Sequence, residues 1–191
     1  KSLHFPIDPT VYAAVVTTQA HGLYLQRCGM ELGPPWTTWR RPACHTNGLV
    51  LTRQQRLLPH GIGDLDEMIV TVTNGGDVLP VIIPASGGHH DAGDYNPRSH
   101  CPVARLLLSA WERAPDSFHD GQFHIPESGN GLPDIVDEAL WQVRLWEGLQ
   151  DTDGGVYHGT ESDGDPNFIQ TAGLDPKGDF AYAKDAAGSF E

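Results

Sequence analysis

The sequence lacks the signatures of several common catalytic scaffolds. It has no Gly-x-Ser-x-Gly elbow, no phosphate-cradling glycine loop, no His-Glu-x-x-His pair and no internal repeat, which argues against serine nucleophiles and nucleotide sites. Long apolar runs are missing too. The stretch from Val78 to Pro84 is among the longest, far short of the roughly 20 residues needed to span a bilayer. Cysteine is scarce: Cys28, Cys44 and Cys101 are the only three and none forms a Cys-x-x-Cys pair, so a disulfide framework is excluded while one disulfide or one metal site stays open. Basic residues number 12 against 25 acidic ones, for a net charge of -13. Such a surface repels nucleic acid and anionic membranes and suits a neutral or cationic ligand. From Lys1 onward there is no charged, apolar and small-residue succession of a signal peptide, so the chain reads as soluble and already processed.

What the sequence does contain is concentrated in one stretch. Gly87-Gly88-His89-His90-Asp91-Ala92-Gly93-Asp94-Tyr95-Asn96 packs two carboxylates, two imidazoles and three glycines into ten residues. Asp91 and Asp94 lie three apart, so a tight turn aims both carboxylates into one pocket, and glycines allow backbone to approach a ligand closely. The competing reading is a plain loop, since Asp, Gly and Asn also favour turns.

Around this stretch the pattern is helical. Asp8-Pro9 reads as an N-cap followed by proline at the first helical position, and Tyr12, Val15, Val16, Gln19, Ala20 and Leu23 recur at helical spacing to about Gln26. Between Arg27 and Ser86 the punctuation of Gly33-Pro34-Pro35, Arg41-Pro42, Leu58-Pro59 and Gly75-Gly76 breaks any period, and only Met68 to Thr73 and Val78 to Ile83 look strand-like, enough for one hairpin. So long a loop needs a local staple. Val103, Leu106, Leu107, Ala110, Trp111 and Ala114 then form one apolar stripe of a helix starting at Pro102. A third helix opens at Pro133, with Asp134, Asp137 and Glu138 complementing its dipole and Ile135, Val136, Ala139, Leu140, Val143, Trp146 and Leu149 as its buried face. Beyond Gln150 the chain is rich in Gly, Asp and Ser, and Asp163-Gly164-Asp165 resembles a fragment of a calcium loop, although turns use the same residues.

Five separated motifs agree on one family. Leu25-Gln26-Arg27-Cys28-Gly29, Pro42-Ala43-Cys44-His45-Thr46, the Gly87 to Asn96 stretch, Gly129-Asn130-Gly131-Leu132-Pro133-Asp134-Ile135-Val136-Asp137-Glu138 and Asp153-Gly154-Gly155-Val156-Tyr157-His158 resemble, in the same order, glycoside hydrolase family 9, the family E cellulases. The resemblance covers residues 12 to 160. It implies an all-α (α/α)6 barrel, of which residues 1–191 are the N-terminal part of a single catalytic domain continuing beyond 191, with long loops and a small β-hairpin. It also implies a secreted enzyme that hydrolyses β-1,4-glucans with inversion. Asp94 falls on the family's general base, which activates water, and Asp91 on the aspartate that helps hold that water. Two carboxylates so close titrate as a coupled pair, which permits such different roles. Inversion further needs a general acid across the sugar, roughly 6.5 to 9.5 Å from the base. The family's glutamate for that role lies far beyond this length; Glu127, Glu138 and Glu161 do not sit in its motif, and Glu138 reads as a first-turn helix residue. Taken alone, the 191 residues are therefore expected to be catalytically incompetent.

Some members of the family carry zinc at the matching motifs, which implies Cys28, Cys44, His45 and His90 as a closed structural site. That site would tie the end of the first helix, the long loop and the aspartate turn together, supplying the staple. A Cys28–Cys44 disulfide is its rival, and Cys101 reads as a buried thiol at the start of the second helix. Tyr95 and His158 are candidates to line the sugar site, each with packing as the alternative. His89 stands where the family often has an aromatic, so it reads either as an altered stacking contact or as an exposed loop histidine. Trp36 and Trp39 read as loop packing, or as platforms for sugar rings. Two rivals to a β-1,4-glucanase are a non-catalytic carbohydrate-binding or structural fragment that keeps the zinc, and an enzyme of this fold acting on a related sugar.

Overall fold

A computed structural model describes residues 12–46, 48–51, 55–56, 69–70, 80–83, 86–90, 102–157, 160–162, 172, 174 and 179–181. Helix α1 spans Ala13–Leu25, α2 Pro102–Arg113 and α3 Asp134–Leu149, with a single 3-10 turn at Pro115–Ser117 between the last two. The expected start of α1 at Asp8-Pro9 lies outside the described residues. The inward face of α1 is Val16, Ala20 and Tyr24, whereas Tyr12 and Val15 point to solvent. The i, i+4, i+8 row therefore decides the buried face, offset from the wider stripe in the sequence. Its C-terminal end tightens as the Gln26 and Arg27 amides donate to the Leu23 and Tyr24 carbonyls.

One apolar cluster joins Ala20, Tyr24, Leu32, Phe123, Ile125 and Ile135, and Leu107, Ala110 and Trp111 of α2 pack against it. Leu106, counted in the same stripe of α2, is 62% exposed. A second cluster gathers Cys28, Cys44, Leu145, Leu149 and Ala172. Helix α3 is shared by both. Its buried face runs through Ile135, Glu138, Gln142, Leu145 and Leu149, while Leu140 is 43% exposed. The sequence-based face is thus rotated, because two polar residues occupy inward positions and bind partners from the first forty-five residues and the glycine-histidine stretch.

Of the three acids at the start of α3, Asp134 does more than complement a dipole. Its carboxylate accepts from the amides of Gly121 and Phe123, at 2.9 and 2.6 Å, and from Ser128 Oγ at 2.8 Å, which ties the preceding loop to the helix. Asp137 accepts from Asn130 Nδ2 at 3.0 Å through one oxygen, and its other oxygen is buried with no hydrogen-bond partner among the described residues.

Short strands accompany the helices, so the fold is not purely helical: β1 (Gly48–Leu51), β2 (Gln55–Arg56), β3 (Ile69–Val70), β4 (Pro80–Ile83), β5 (Thr160–Ser162) and β6 (Asp179–Ala181). The expected hairpin between Met68–Thr73 and Val78–Ile83 is replaced by another pairing. β4 runs antiparallel to β1, with Gly48 opposite Ile83, and β3 pairs with β2. β1 also pairs in parallel with β6, which in turn pairs with β5. Aliphatic and β-branched runs such as Leu49-Val50-Leu51 and Val81-Ile82-Ile83 favour mutual pairing, and a pairing distant in sequence leaves no local signature. Among the described residues, no helix is long and apolar enough to cross a membrane.

The glycine-histidine stretch enters this frame through Gly87, whose φ is +108°. A Cβ there would lie 2.9 Å from Arg144 Cβ and from the Leu145 amide nitrogen, both on α3. Gly87→Ala is expected to cost about 2–4 kcal/mol, from backbone strain and overpacking together, read as a lowered unfolding midpoint; an unchanged midpoint refutes this packing. Asp137 gives a pH-dependent expectation. Burial raises its pKa above the usual carboxylate value, so the folded state holds the proton more tightly than the unfolded chain. Stability falls as pH rises from the unfolded pKa through the folded one. Asp137→Asn should therefore raise the unfolding temperature at neutral pH, and the gain should shrink below about pH 4; a loss at neutral pH counts against it.

Candidate functional site

Two adjoining constellations flank the stretch 86–90. The first is a group of four buried potential ligands, Cys28, Cys44, His45 and His90, whose donor atoms all lie within 4.8 Å of one another. Cys28 Sγ is 3.1 Å from His90 Nδ1 and 3.4 Å from His45 Nδ1, and Cys44 Sγ is 4.0 Å from His90 Nδ1. Neither Cys28 nor Cys44 is in a disulfide. His45 holds a φ of +51°, a left-handed conformation uncommon for a residue with a side chain, and such conformations concentrate at functional sites.

The surrounding charge favours ligation. Arg41 Nη1 donates to Cys44 Sγ at 3.1 Å and to His90 Nε2 at 2.8 Å. Because the guanidinium is always a donor, His90 Nε2 accepts, leaving the ring neutral with its remaining proton on Nδ1. Burial also pushes the His90 pKa down. The Cys44 thiol is lowered well below the ordinary cysteine value, chiefly by its hydrogen bond with Cys28, with His45 and His90 assisting against burial. A thiolate and a neutral imidazole are the ligand forms that zinc requires. Tetrahedral N and S donors about 2.0–2.3 Å from one ion stand roughly 3.5 Å apart, close to the separations here. The four residues supply the donor set for the metal; His90 would hold it through Nδ1 with the ring proton on Nε2, the atom that faces Arg41 Nη1 here.

The second constellation is ionic. Arg27, fully buried, places Nε and Nη2 each 3.0 Å from the two oxygens of Glu138, and Nη1 3.0 Å from both oxygens of Glu127. Its guanidinium lies 4.4 Å from the centroid of Trp141. His89 Nε2 donates to Glu138 Oε1 at 2.7 Å, and His89 Nδ1 meets the Gln142 amide at 2.9 Å. Burial alone would raise the Glu138 carboxyl, but the His89 hydrogen bond and the Arg27 charge outweigh it and hold its pKa low. Two expectations are corrected here. Glu138 is a buried anion under the glycine-histidine stretch rather than a first-turn helix residue, and His89, 2% exposed, is not an exposed loop histidine. The available sequence signal was Glu138 and Gln142 lying in the same row as Ile135, Leu145 and Leu149.

Between the two constellations the backbone of 86–90 is pinned on both sides. Arg27 and His89 form an antiparallel bridge, the Cys28 amide donates to the Gly88 carbonyl, and the His90 amide donates to the Gln26 carbonyl. From the opposite side the Gly88 amide donates to the Trp141 carbonyl at 2.9 Å. Trp141 Nε1 in turn donates to the Cys28 carbonyl. Successive side chains of an extended strand point opposite ways, so His89 turns to α3 and His90 to the Cys/His cluster. Asp91, Asp94 and Tyr95, directly beyond this clamp, lie outside the described residues, as do Cys101, His158 and the segment Asp163 to Asp165. Trp36 packs against His124 with ring centroids 5.1 Å apart, whereas Trp39 is 71% exposed.

No family model matches the chain. Among curated relatives, it is 30% identical over 162 residues to the xyloglucan-specific endo-beta-1,4-glucanase BoGH9A of Bacteroides ovatus, covering 82% of this chain and 25% of that protein. The chain spans about a quarter of the length of the curated relatives it matches. Among solved structures, a metagenome-derived glycoside hydrolase family 9 endoglucanase superposes with a TM-score of 0.71 at 31% identity, over 94% of this chain and 29% of that one. A Zn-binding triple mutant of the family 9 endoglucanase J30 gives a TM-score of 0.66 at 26% identity, over 98% of this chain and 33% of that one. With sequence and fold agreeing over most of its length, the chain belongs to glycoside hydrolase family 9.

Proposed function

We propose that the chain is the N-terminal part of a single (α/α)6 catalytic domain that hydrolyses β-1,4-linked glucan with inversion, with Asp94 as general base and Asp91 as its partner in holding water. The observation that carries this reading is the two-sided clamp on residues 86–90, which fixes the chain immediately before the two aspartates. The endoglucanase names of the relatives support β-glucan, xyloglucan included, as the substrate class. In the mechanism, water lies against the Asp94 carboxylate, loses its proton to it and attacks the anomeric carbon from the face opposite the leaving group. The leaving oxygen takes its proton from a glutamic acid supplied by the rest of the domain. Repulsion between the two aspartates keeps their titrations apart, so one can stay ionised as base. Tyr95 and His158 line the sugar site.

Cys28, Cys44, His45 and His90 hold a structural zinc ion that joins the end of α1, the loop before β1 and the clamped stretch. Bound there, zinc supplies rigidity rather than chemistry. Asp163-Gly164-Asp165 is a candidate for a separate calcium loop, and the enzyme acts outside the cell, where its polymeric substrate is found.

Reducing-sugar release from soluble cellulose and xyloglucan by the full-length protein tests the base. Asp94→Asn should lower kcat by about 100-fold or more. Activity surviving at about a tenth of the original would refute the role of Asp94, and no activity in the unaltered full-length protein would favour a non-catalytic carbohydrate-binding remnant. Elemental analysis addresses the metal: about one zinc per chain is expected, lost in Cys44→Ser together with several degrees of unfolding temperature. Zinc-free protein with two fewer titratable thiols would instead mean a Cys28–Cys44 disulfide.

A further inference from the structure

We propose that the buried His89–Glu138 pair, locked by Arg27 and Gln142, is a positioning device that aims the Asp91–Asp94 turn. The inference rests on the assignment of Asp94 as base and adds residues that act through it. Backbone hydrogen bonds fix the path of 86–90, and its side chains add a hold on each face. His90 reaches the Cys/His cluster on one face, and His89 reaches Glu138 and Gln142 on the other, at 2.7 and 2.9 Å.

Both ring nitrogens of His89 are engaged by side chains of one helix, separated by a single turn, so the imidazole plane is fixed in two directions. Glu138 cannot swing away from it. Its Oε1 also accepts from Arg27 Nε and its Oε2 from Arg27 Nη2, and the guanidinium is held in turn by Glu127 and Trp141. The chain of constraint runs from α3 through Glu138 and His89 to the backbone at residue 89, two residues before Asp91. Asp94 is five residues past His89, at most roughly 18 Å of extended chain, with Gly93 among the intervening residues. A rotation at residue 89 changes the direction in which the chain leaves the clamp toward both carboxylates. A displacement of about 1 Å at a reacting group can cost on the order of 100-fold in rate, so an anchor of this kind affects turnover more than substrate binding.

The test uses the full-length protein with His89→Phe, which fills the ring's space, removes its donor to Glu138 and leaves Glu138 paired with Arg27. The expected result is a fall in kcat of roughly 10- to 100-fold with KM within about twofold. His89→Gln, whose amide can still donate to Glu138, should recover most of the loss. A double-mutant cycle with Asp94→Asn separates positioning from general weakening. If His89 acts through the base, Asp94→Asn and the double variant share one residual kcat. Additive losses, or an unchanged kcat in His89→Phe, overturn the proposal. Should His89→Phe fail to fold, Gln142→Met removes the second contact of the ring and carries the same comparison, with unchanged kcat again overturning it. An active Asp94→Asn variant refutes the base assignment and the positioning built on it, and so is distinguishable from an inactive one with additive losses, which refutes the positioning alone.

Discussion

The interior of this chain depends on where one guanidinium is allowed to be. Arg27 follows the C-terminal end of α1 and has no exposed surface. An ion without water is tolerated only when its charge and its donors are matched. Glu138 answers with a fork of two hydrogen bonds, Glu127 with a second pair on Nη1, and Trp141 with the face of its ring. Each answering group lies about a hundred residues or more along the chain. The end of α1 and the start of α3 must therefore come together in one register, because any other leaves a buried charge without its counter-ion. Apolar packing of Tyr24 and Ile135 brings these elements near each other, but such contacts tolerate sliding; the fork does not.

This ion also explains why the glycine-histidine stretch runs where it does. The Arg27 backbone bridges to His89, while the Arg27 side chain holds the carboxylate that accepts from the His89 ring. Backbone and side chain of one residue thus define both the path and the rotation of a second segment. The Trp141 carbonyl completes the path from the other side. Gly87 is required because α3 passes too close for a Cβ. Arg41 extends the same economy to the neighbouring cluster: Nη2 donates to the Arg27 carbonyl and Nη1 to Cys44 Sγ and His90 Nε2. The two constellations are therefore one structure with an ionic half and a thiolate half, meeting at residues 27–28 and 89–90.

How far the sequence discloses this depends on the range of each interaction. Helical periodicity placed α2 and α3, because an amphipathic pattern is written in neighbouring residues. Cys28, Cys44, His45 and His90 were expected together from the family resemblance, and they converge in the fold as a group that could hold a metal. Long-range pairing was not legible. The partners of β1 are β4 and β6, the latter about 130 residues away, and nothing in Met68 to Ile83 distinguishes a local hairpin from strands paired elsewhere. Glu138 was misread for a related reason. A carboxylate near a helix start fits dipole complementation so well that its buried role emerges only once Arg27 and His89 lie beside it. His89 was misread because glycines and aspartates around it suggested solvent, while its own partners are on α3.

Division of labour between adjacent histidines follows from the strand that carries them. In extended backbone, neighbours face opposite sides, so a His-His pair can serve two environments without either competing for the other's ligands. His90 is neutral, buried and aimed at two sulfurs, which is the state for soft-metal ligation. His89 faces a carboxylate and an amide, a setting that offers hydrogen bonds but no thiolate. Exchanging the two environments by a one-residue slip would put His90 against Glu138 and His89 against Cys28. Both constellations would fail at once, so the register of residues 86–90 is specified twice. A segment specified twice holds one register on both faces, with Arg27 and Glu138 on one side and Cys28 and Arg41 on the other.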